Sequence, residues 1–234
     1  MNEHIDPNAK PENKTLTIED LDEDLRDRIH EIRKEFIAGL NMARRHRRSV
    51  TFFGSARYIE SNPYYEKART IARQVAEAGI AVVTGGGSGI MEAANRGASE
   101  AEGEDTGHSI GLNIELPEEQ ALNEYAVENR EFHYFFARKV ALTFSAEAYL
   151  IFPGGFGTLD ECFEVITLMQ TDKMKPAPVI LVGSAFWEKV DELLKETLYE
   201  TFSTISAEDR DLYEITDDSE RILEIIKKAP QRNE

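Results

Sequence analysis

The chain has 234 residues and a mass of 26.5 kDa, enough for one sizeable buried core. Hydrophobic residues at 41% against 30% charged exclude a disordered protein. The 44 acids and 27 bases leave a net charge of −17, whose long-range repulsion argues against a nucleic-acid polymer or an anionic membrane as the main partner.

A single cysteine, Cys162, allows neither an intrachain disulfide nor a cysteine-based zinc cage. The N-terminal stretch MNEHIDPNAKPENK has no apolar run of the secretory type, and no later stretch has the length and apolarity of a membrane span. A cytoplasmic protein is expected.

Residues 1–16 are polar, carry Pro7 and Pro11, and read as a flexible tail. Thr17 followed by Asp20 resembles a capping box with Asp in place of Glu. Behind it Leu21, Leu25, Ile29, Ile32, Phe36 and Leu40 recur at helical spacing. The helix opens acidic (EDLDED, 19–24) and closes basic (RRHRR, 44–48), as its dipole favours. Residues 1–48 therefore read as a tail plus an amphipathic helix.

From residue 49 the pattern changes. SVTFF (49–53), IAVVT (80–84), SIGLNI (109–114), AYLIF (148–152) and PVILV (178–182) are short β-type runs. Helical stretches at 63–78, 89–101, 134–146 and 157–171 separate most of them. A helix at 185–202, a short strand within 211–216 and a last helix at 218–228 follow. Such alternation specifies βαβ units: an α/β, Rossmann-like three-layer sandwich with a mostly parallel sheet spanning 49–234.

Three glycine-bearing turns follow three of these strands: FGSAR (53–57), TGGGSGIMEAANRGA (84–98) and PGGFGTLDE (153–161). In an open parallel sheet, turns after strand C-termini share one crevice, where glycines and helix N-termini suit an anion such as phosphate. The dinucleotide fingerprint fails: Ile90 and Asp160 stand where its third glycine belongs. No lysine follows as in a P-loop, and the serine elbow fails at Ile90.

Asp160 and Glu161 lie one turn into the helix after the third glycine turn, within reach of what that turn holds, and only one of two neighbours can face the crevice. Asp160 suits the plain first-turn acid better. Upstream, FHYFFARKV (132–140) sets Arg138 and Lys139 in an aromatic stretch, where Arg suits phosphate or a purine ring. Arg57 is a weaker candidate of the same kind. The five histidines share no metal-ligand spacing, so no metal site is expected. Cys162 is expected to point into the core without chemistry.

PGGFGTLDE matches the PGGxGTxxE motif of the LOG family, the "lonely guy" cytokinin-activating phosphoribohydrolases and their bacterial homologues, and Arg138-Lys139 resembles the RK pair of that family. TGGGSGIMEAANRGA resembles its second glycine turn, so the likeness covers about residues 49–185. The resemblance implies hydrolysis of the N-glycosidic bond of a nucleoside 5′-monophosphate, AMP or a cytokinin riboside monophosphate, to free base and ribose 5-phosphate. On that reading Glu161 stabilises the cationic sugar and Arg138 the departing base. Gly154, Gly155, Gly157 and Thr158 hold the 5′-phosphate, with Ser55, Gly87 and Lys139 nearby. No cofactor is implied, and relatives suggest a homodimer or higher homo-oligomer. Two rival readings are a pyridoxal phosphate-dependent lysine decarboxylase, with Lys139 as its only candidate lysine, and a non-hydrolytic nucleotide or cofactor carrier of the same fold.

Overall fold

The structure, a computed structural model, describes residues 17, 22–46, 48–103, 106–115, 123–144 and 146–231. The tail expected at 1–16 lies outside the described residues. Among the described residues seven strands form: β1 (Ser49–Phe53), β2 (Ala81–Thr84), β3 (Ser109–Ile114), β4 (Glu128–Phe132), β5 (Ala148–Ile151), β6 (Val179–Leu181) and β7 (Glu214–Ile215). They pair in the order β4-β3-β2-β1-β5-β6-β7, and every pairing is parallel. At the centre, Thr51 of β1 faces Val83 on one side and Tyr149 on the other.

Alternation along each strand sends side chains to opposite faces, and each face meets its own helices. Val50, Phe52, Val82, Leu150 and Ile180 pack with α2 (Pro63–Glu77), α3 (Ile90–Ser99) and α7 (Ser219–Lys228). Phe53, Val83, Leu112, Tyr149 and Leu181 pack on the other side, which α4 (Phe135–Phe144), α5 (Phe156–Gln170), α6 (Ser184–Leu193) and the C-terminal part of α1 (Glu23–Arg45) cover. The three-layer α/β sandwich is thus complete. No described helix is long and apolar enough to cross a membrane.

The N-terminal helix joins this sandwich directly. Met42 is buried in the second core, and a Cβ on Gly39 would come 2.7 Å from Ala141 Cβ of α4. The Glu35 carboxylate accepts from the His133 and Tyr134 N–H groups at 2.7 and 3.0 Å, satisfying donors just before α4. The helix start differs from the capping box expected at Thr17. Asp22 is the N-cap, its side chain accepting from Leu25 N at 2.9 Å, so the acid next to the first helical turn satisfies one of its free amides.

Two other elements differ from expectation. β4, sequence ENREF, has no apolar run, because an edge strand with three of five residues exposed needs none. The helix expected over 185–202 is α-helical only to Leu193 and continues as a wider π-type turn over Leu194–Thr201.

The sheet order reverses between β1 and β5: the chain moves outward through β2 and β3 to one side, and through β6 and β7 to the other. The C-terminal ends of β1 and β5 therefore border the crevice of the fold. Close helix packing beside it depends on Gly97, where a Cβ would stand 2.0 Å from the Arg69 carbonyl oxygen of α2. Gly97→Ala is expected to force α2 and α3 apart and destabilise the protein by about 1–3 kcal/mol, read from urea unfolding.

Candidate active site

One residue ties the three glycine turns together. The Ser55 N–H donates to the Pro153 carbonyl of the third turn at 3.1 Å, and the Ser55 carbonyl accepts from Ile90 N at the start of α3, also at 3.1 Å. Ser88 Oγ adds a bond to the Ala56 carbonyl at 2.9 Å. Gly89 (φ +68°) lets the second turn close over the first, since a Cβ there would meet Ser55 O at 2.3 Å. The turns share one crevice, as the strand alternation implied. The Ser55 hydroxyl itself accepts from Arg57 N at 3.2 Å, and the Arg57 side chain is exposed.

The second turn rests on a polar network that sequence patterning did not reveal. Thr84 Oγ1 donates to Asn95 Oδ1 (2.5 Å) and accepts from Gly86 N (2.9 Å). Asn95 Nδ2 donates to Ser109 Oγ and to the Ile110 carbonyl, and Asn123 Nδ2 reaches Asn95 Oδ1 and, at 3.4 Å, the Gly87 carbonyl. Thr84, Asn95 and Ser109 are fully buried, where unpaired polar atoms are costly, so the network fixes the turn's backbone. Asn113, near the C-terminal end of β3, lies against Gly86 and is buried with its Oδ1 lacking a hydrogen-bond partner. A buried amide beside a glycine turn is a candidate site group that no spacing rule could have marked.

Arg138 sits on α4 with its guanidinium beneath the second turn. It is buried, donating from Nε to the Leu112 carbonyl at 2.6 Å and from Nη2 to the Gly85 carbonyl at 3.0 Å. Its guanidinium also stands 5.8 Å from the centre of the Phe135 ring. Burial lowers its pKa, and the negative charge of Glu161 opposes that. The arginine therefore both supports the turn and brings a positive charge to Glu161.

Glu161, on α5, is partly accessible at its surface, yet its carboxyl has lost most of its solvent. Burial pushes its pKa up to about 7; Arg138 and Lys139 pull the other way, while Asp160 and Glu164 add to the rise. Lys139 does not stand free in the crevice. Its ammonium bonds Asp160 Oδ2 at 2.8 Å and lies 3.4 Å from Glu164 Oε2. Burial disfavours the charge on Lys139, but Asp160 and Glu164 outweigh it and raise its pKa. Asp160 thus holds an ion pair, whereas Glu161 is the carboxyl adjoining Arg138.

The third turn begins α5, whose N-cap Gly155 supplies no side-chain cap. The first intrahelical bond runs from Leu159 N to Gly155 O, so the preceding N–H groups stay outside the helix ladder. Gly154 is required by packing, because a Cβ would come 2.1 Å from Oγ1 of the buried Thr158. Gly155 and Gly157 are different. A Cβ on either would meet nothing within 4 Å, and neither has a positive φ. Gly87 lies in the second turn, where a Cβ would come 2.8 Å from Met91 Cε. Cys162 is buried in the core, and burial pushes its thiol up to about 12.

The family model described as "possible lysine decarboxylase" matches residues 91–226. A probable cytokinin riboside 5′-monophosphate phosphoribohydrolase of Oryza sativa subsp. japonica, LOGL5, is 31% identical over 68% of this chain and 64% of its own. The cytokinin riboside 5′-monophosphate phosphoribohydrolase LOG of the same plant is 32% identical over 62% of this chain and 58% of its own. The chain thus spans under two-thirds of the length of these two relatives. The molybdenum cofactor carrier protein of Chlamydomonas reinhardtii superposes with a TM-score of 0.57 at 20% identity, covering 78% of this chain and 98% of its own, a likeness of fold. With the family model matching more than half of its length, the chain belongs to the LOG family, whose model bears the possible lysine decarboxylase description.

Proposed function

We propose that the protein hydrolyses the N-glycosidic bond of a nucleoside 5′-monophosphate, of the AMP or cytokinin riboside monophosphate type, giving free base and ribose 5-phosphate. The observation that carries this reading is the pair Gly155 and Gly157. Neither packing nor backbone conformation demands glycine there, so the absence of side chains leaves room for a ligand against the start of α5. Amides outside the helix ladder and the helix dipole favour a phosphate at that place. Gly154 and Thr158 shape the turn, and Ser55 is bonded to it through the Pro153 carbonyl.

With the 5′-phosphate at this turn, the ribose lies toward Glu161 and Arg138. Water adds to C1′ as the C1′–N bond breaks; the bond's electrons leave with the base, and the water proton goes to solvent or to the base. The transition state carries positive charge on the sugar, which ionised Glu161 stabilises. The guanidinium of Arg138 stabilises negative charge developing on the base. Lys139 closes the site from outside through its pairs with Asp160 and Glu164, rather than by direct phosphate contact. Those pairs also weigh against decarboxylation through a Schiff base, which needs a lysine whose ammonium readily loses its proton.

A non-hydrolytic carrier is the second reading, because a cofactor carrier protein has the same fold. Incubation with a panel of nucleoside monophosphates, with chromatographic detection of free base, separates the two. Release of base is expected from the wild type, with a loss of at least about 100-fold in Glu161→Gln, the scale of one electrostatic stabiliser. Arg138→Lys is the better arginine variant, because Arg138→Ala strands two buried carbonyls. Since Glu161 acts ionised, kcat/KM should rise with pH through an acid limb near 7 that is absent in Glu161→Gln. Stability runs the other way: the folded pKa lies above the ordinary 4.5, so the folded state holds the extra proton and its stability falls from about 4.5 to about 7. Intact nucleotides with reversible binding would establish the carrier instead.

Gly157→Ala should leave stability unchanged or raise it by up to about 1 kcal/mol, because Ala is the better helix residue and meets nothing. The same change should raise KM for the nucleotide. Unchanged KM would remove the phosphate from this turn. Phe135, whose ring centre lies 5.8 Å from the Arg138 guanidinium, the adjoining Phe136, and Phe156 of the third turn are 51%, 49% and 93% exposed, and we propose that a homodimer covers them. Light scattering should give at least twice the chain mass; a monomeric mass would refute it.

A further inference from the structure

At the N-terminal ends of the strands, away from the glycine turns, three side chains from separate segments converge. His46 follows α1, His108 precedes β3 and Glu128 opens β4. His46 Nε2 and His108 Nδ1 each lie 3.3 Å from the same oxygen, Glu128 Oε1. The atoms of all three residues that could bind an ion lie within 4.8 Å of one another. The two imidazole rings are tilted at 52° with centres 4.8 Å apart, so they are not stacked face to face.

The His46 side chain is only 9% exposed, and its Nε2 is buried without a hydrogen-bond partner. It approaches Glu128 Oε1 without the alignment that a hydrogen bond needs. Leaving a buried polar atom without a hydrogen bond is costly, so a second occupant of this space is favoured. Hydrophobic packing alone gives no reason for the ring nitrogen to point there.

We propose that His46 Nε2, His108 Nδ1 and one carboxylate oxygen of Glu128 bind a divalent transition-metal ion of the zinc class. Zinc takes imidazole nitrogen and carboxylate oxygen at about 2.0–2.2 Å, and tetrahedral angles then set ligand atoms about 3.3–3.6 Å apart. Two of the three ligand separations already have that length. Two imidazoles disfavour magnesium and calcium, which prefer all-oxygen sites. His108, 56% exposed, leaves the fourth position open to water from the solvent side.

The surrounding charges are compatible with a bound cation. Arg45 Nη1 stands 3.9 Å from the other carboxylate oxygen, Glu128 Oε2, and its side chain is 68% exposed, so solvent screens its repulsion. An ion here would fasten the end of α1 to the edge of β3 and β4. Its role would be structural, at the far end of the sheet from the proposed phosphate turn.

The test uses the full chain without a histidine tag, stripped with a chelator and then titrated calorimetrically with Zn2+ and spectroscopically with Co2+. Expected are one ion per chain, the visible bands of a low-coordinate Co2+ site, and a rise in Tm with Zn2+. His108→Ala and Glu128→Gln should each weaken binding at least about 10-fold, the low end of what even an outer-shell partner contributes. His108 is more than half exposed, so its alanine variant should keep the wild-type circular dichroism spectrum. Absence of saturable Zn2+ binding by the wild type would overturn the site. Equal binding by the folded His108→Ala variant would overturn it too, by placing the ion elsewhere. If either variant fails to fold, the wild-type stoichiometry and Co2+ spectrum decide.

Discussion

The site depends on the backbone of a single residue, Ser55, lying where the sheet reverses its direction. A switch point opens a crevice only if the connections on its two sides are held at a fixed separation. Here the Ser55 N–H binds the turn after β5, and its carbonyl binds the helix that follows β2. Three loops with no shared secondary structure thus acquire one geometry. Gly89 and Gly54 are the residues that permit it, since a side chain at either would strike the Ser55 carbonyl or Ile90. Flexibility at those glycines is converted into rigidity by the bonds they allow.

Around that knot, the glycines divide by physical role. Gly54, Gly86, Gly89, Gly97 and Gly154 are required by the protein itself, because neighbouring atoms fill the space a Cβ would take. Gly155 and Gly157 are not, and the functional reading rests on that contrast rather than on the presence of glycine as such. Arg138 links the two groups. Its bonds to the Leu112 and Gly85 carbonyls place a charge under the second turn, and the same charge limits how far burial can raise Glu161. Binding geometry and the protonation of the candidate catalytic carboxyl are therefore coupled through one buried side chain.

How much of this was legible in the sequence follows from how each part is encoded. The central strands and the glycine turns are local features, and runs such as SVTFF and AYLIF become β1 and β5 within a residue of their expected limits. β4 has no apolar run because it pairs with β3 at the sheet edge, leaves three of its five residues exposed and buries only Phe132 fully. Asn95, Asn113, His46 and His108 were not readable, because their partners lie on other strands and no spacing rule links them. Lys139 shows the same limit from the other side. Its neighbours in sequence suggested a ligand contact, whereas Asp160 and Glu164 of the facing helix occupy its ammonium.

That pairing bears on how so acidic a protein would hold the anionic substrate proposed for it. A net charge of −17 offers a nucleotide no long-range attraction, and residues 49–185, with 19 acids and 10 bases, are no exception. With Lys139 neutralised by its two carboxylates, the forces left to the site are short-ranged: amides at the start of α5, the helix dipole and the buried charge of Arg138. Such groups act over a few ångströms, well inside a Debye length of about 8 Å at physiological salt. They also do not depend on surface charge, so the surface can stay acidic while the crevice holds a phosphate. The raised pKa of Glu161 assists in the same direction, because a carboxyl that is partly protonated near neutral pH repels an incoming anion less. In the proposed hydrolysis, the negative charge that stabilises the transition state then forms by ionisation of a group already in place.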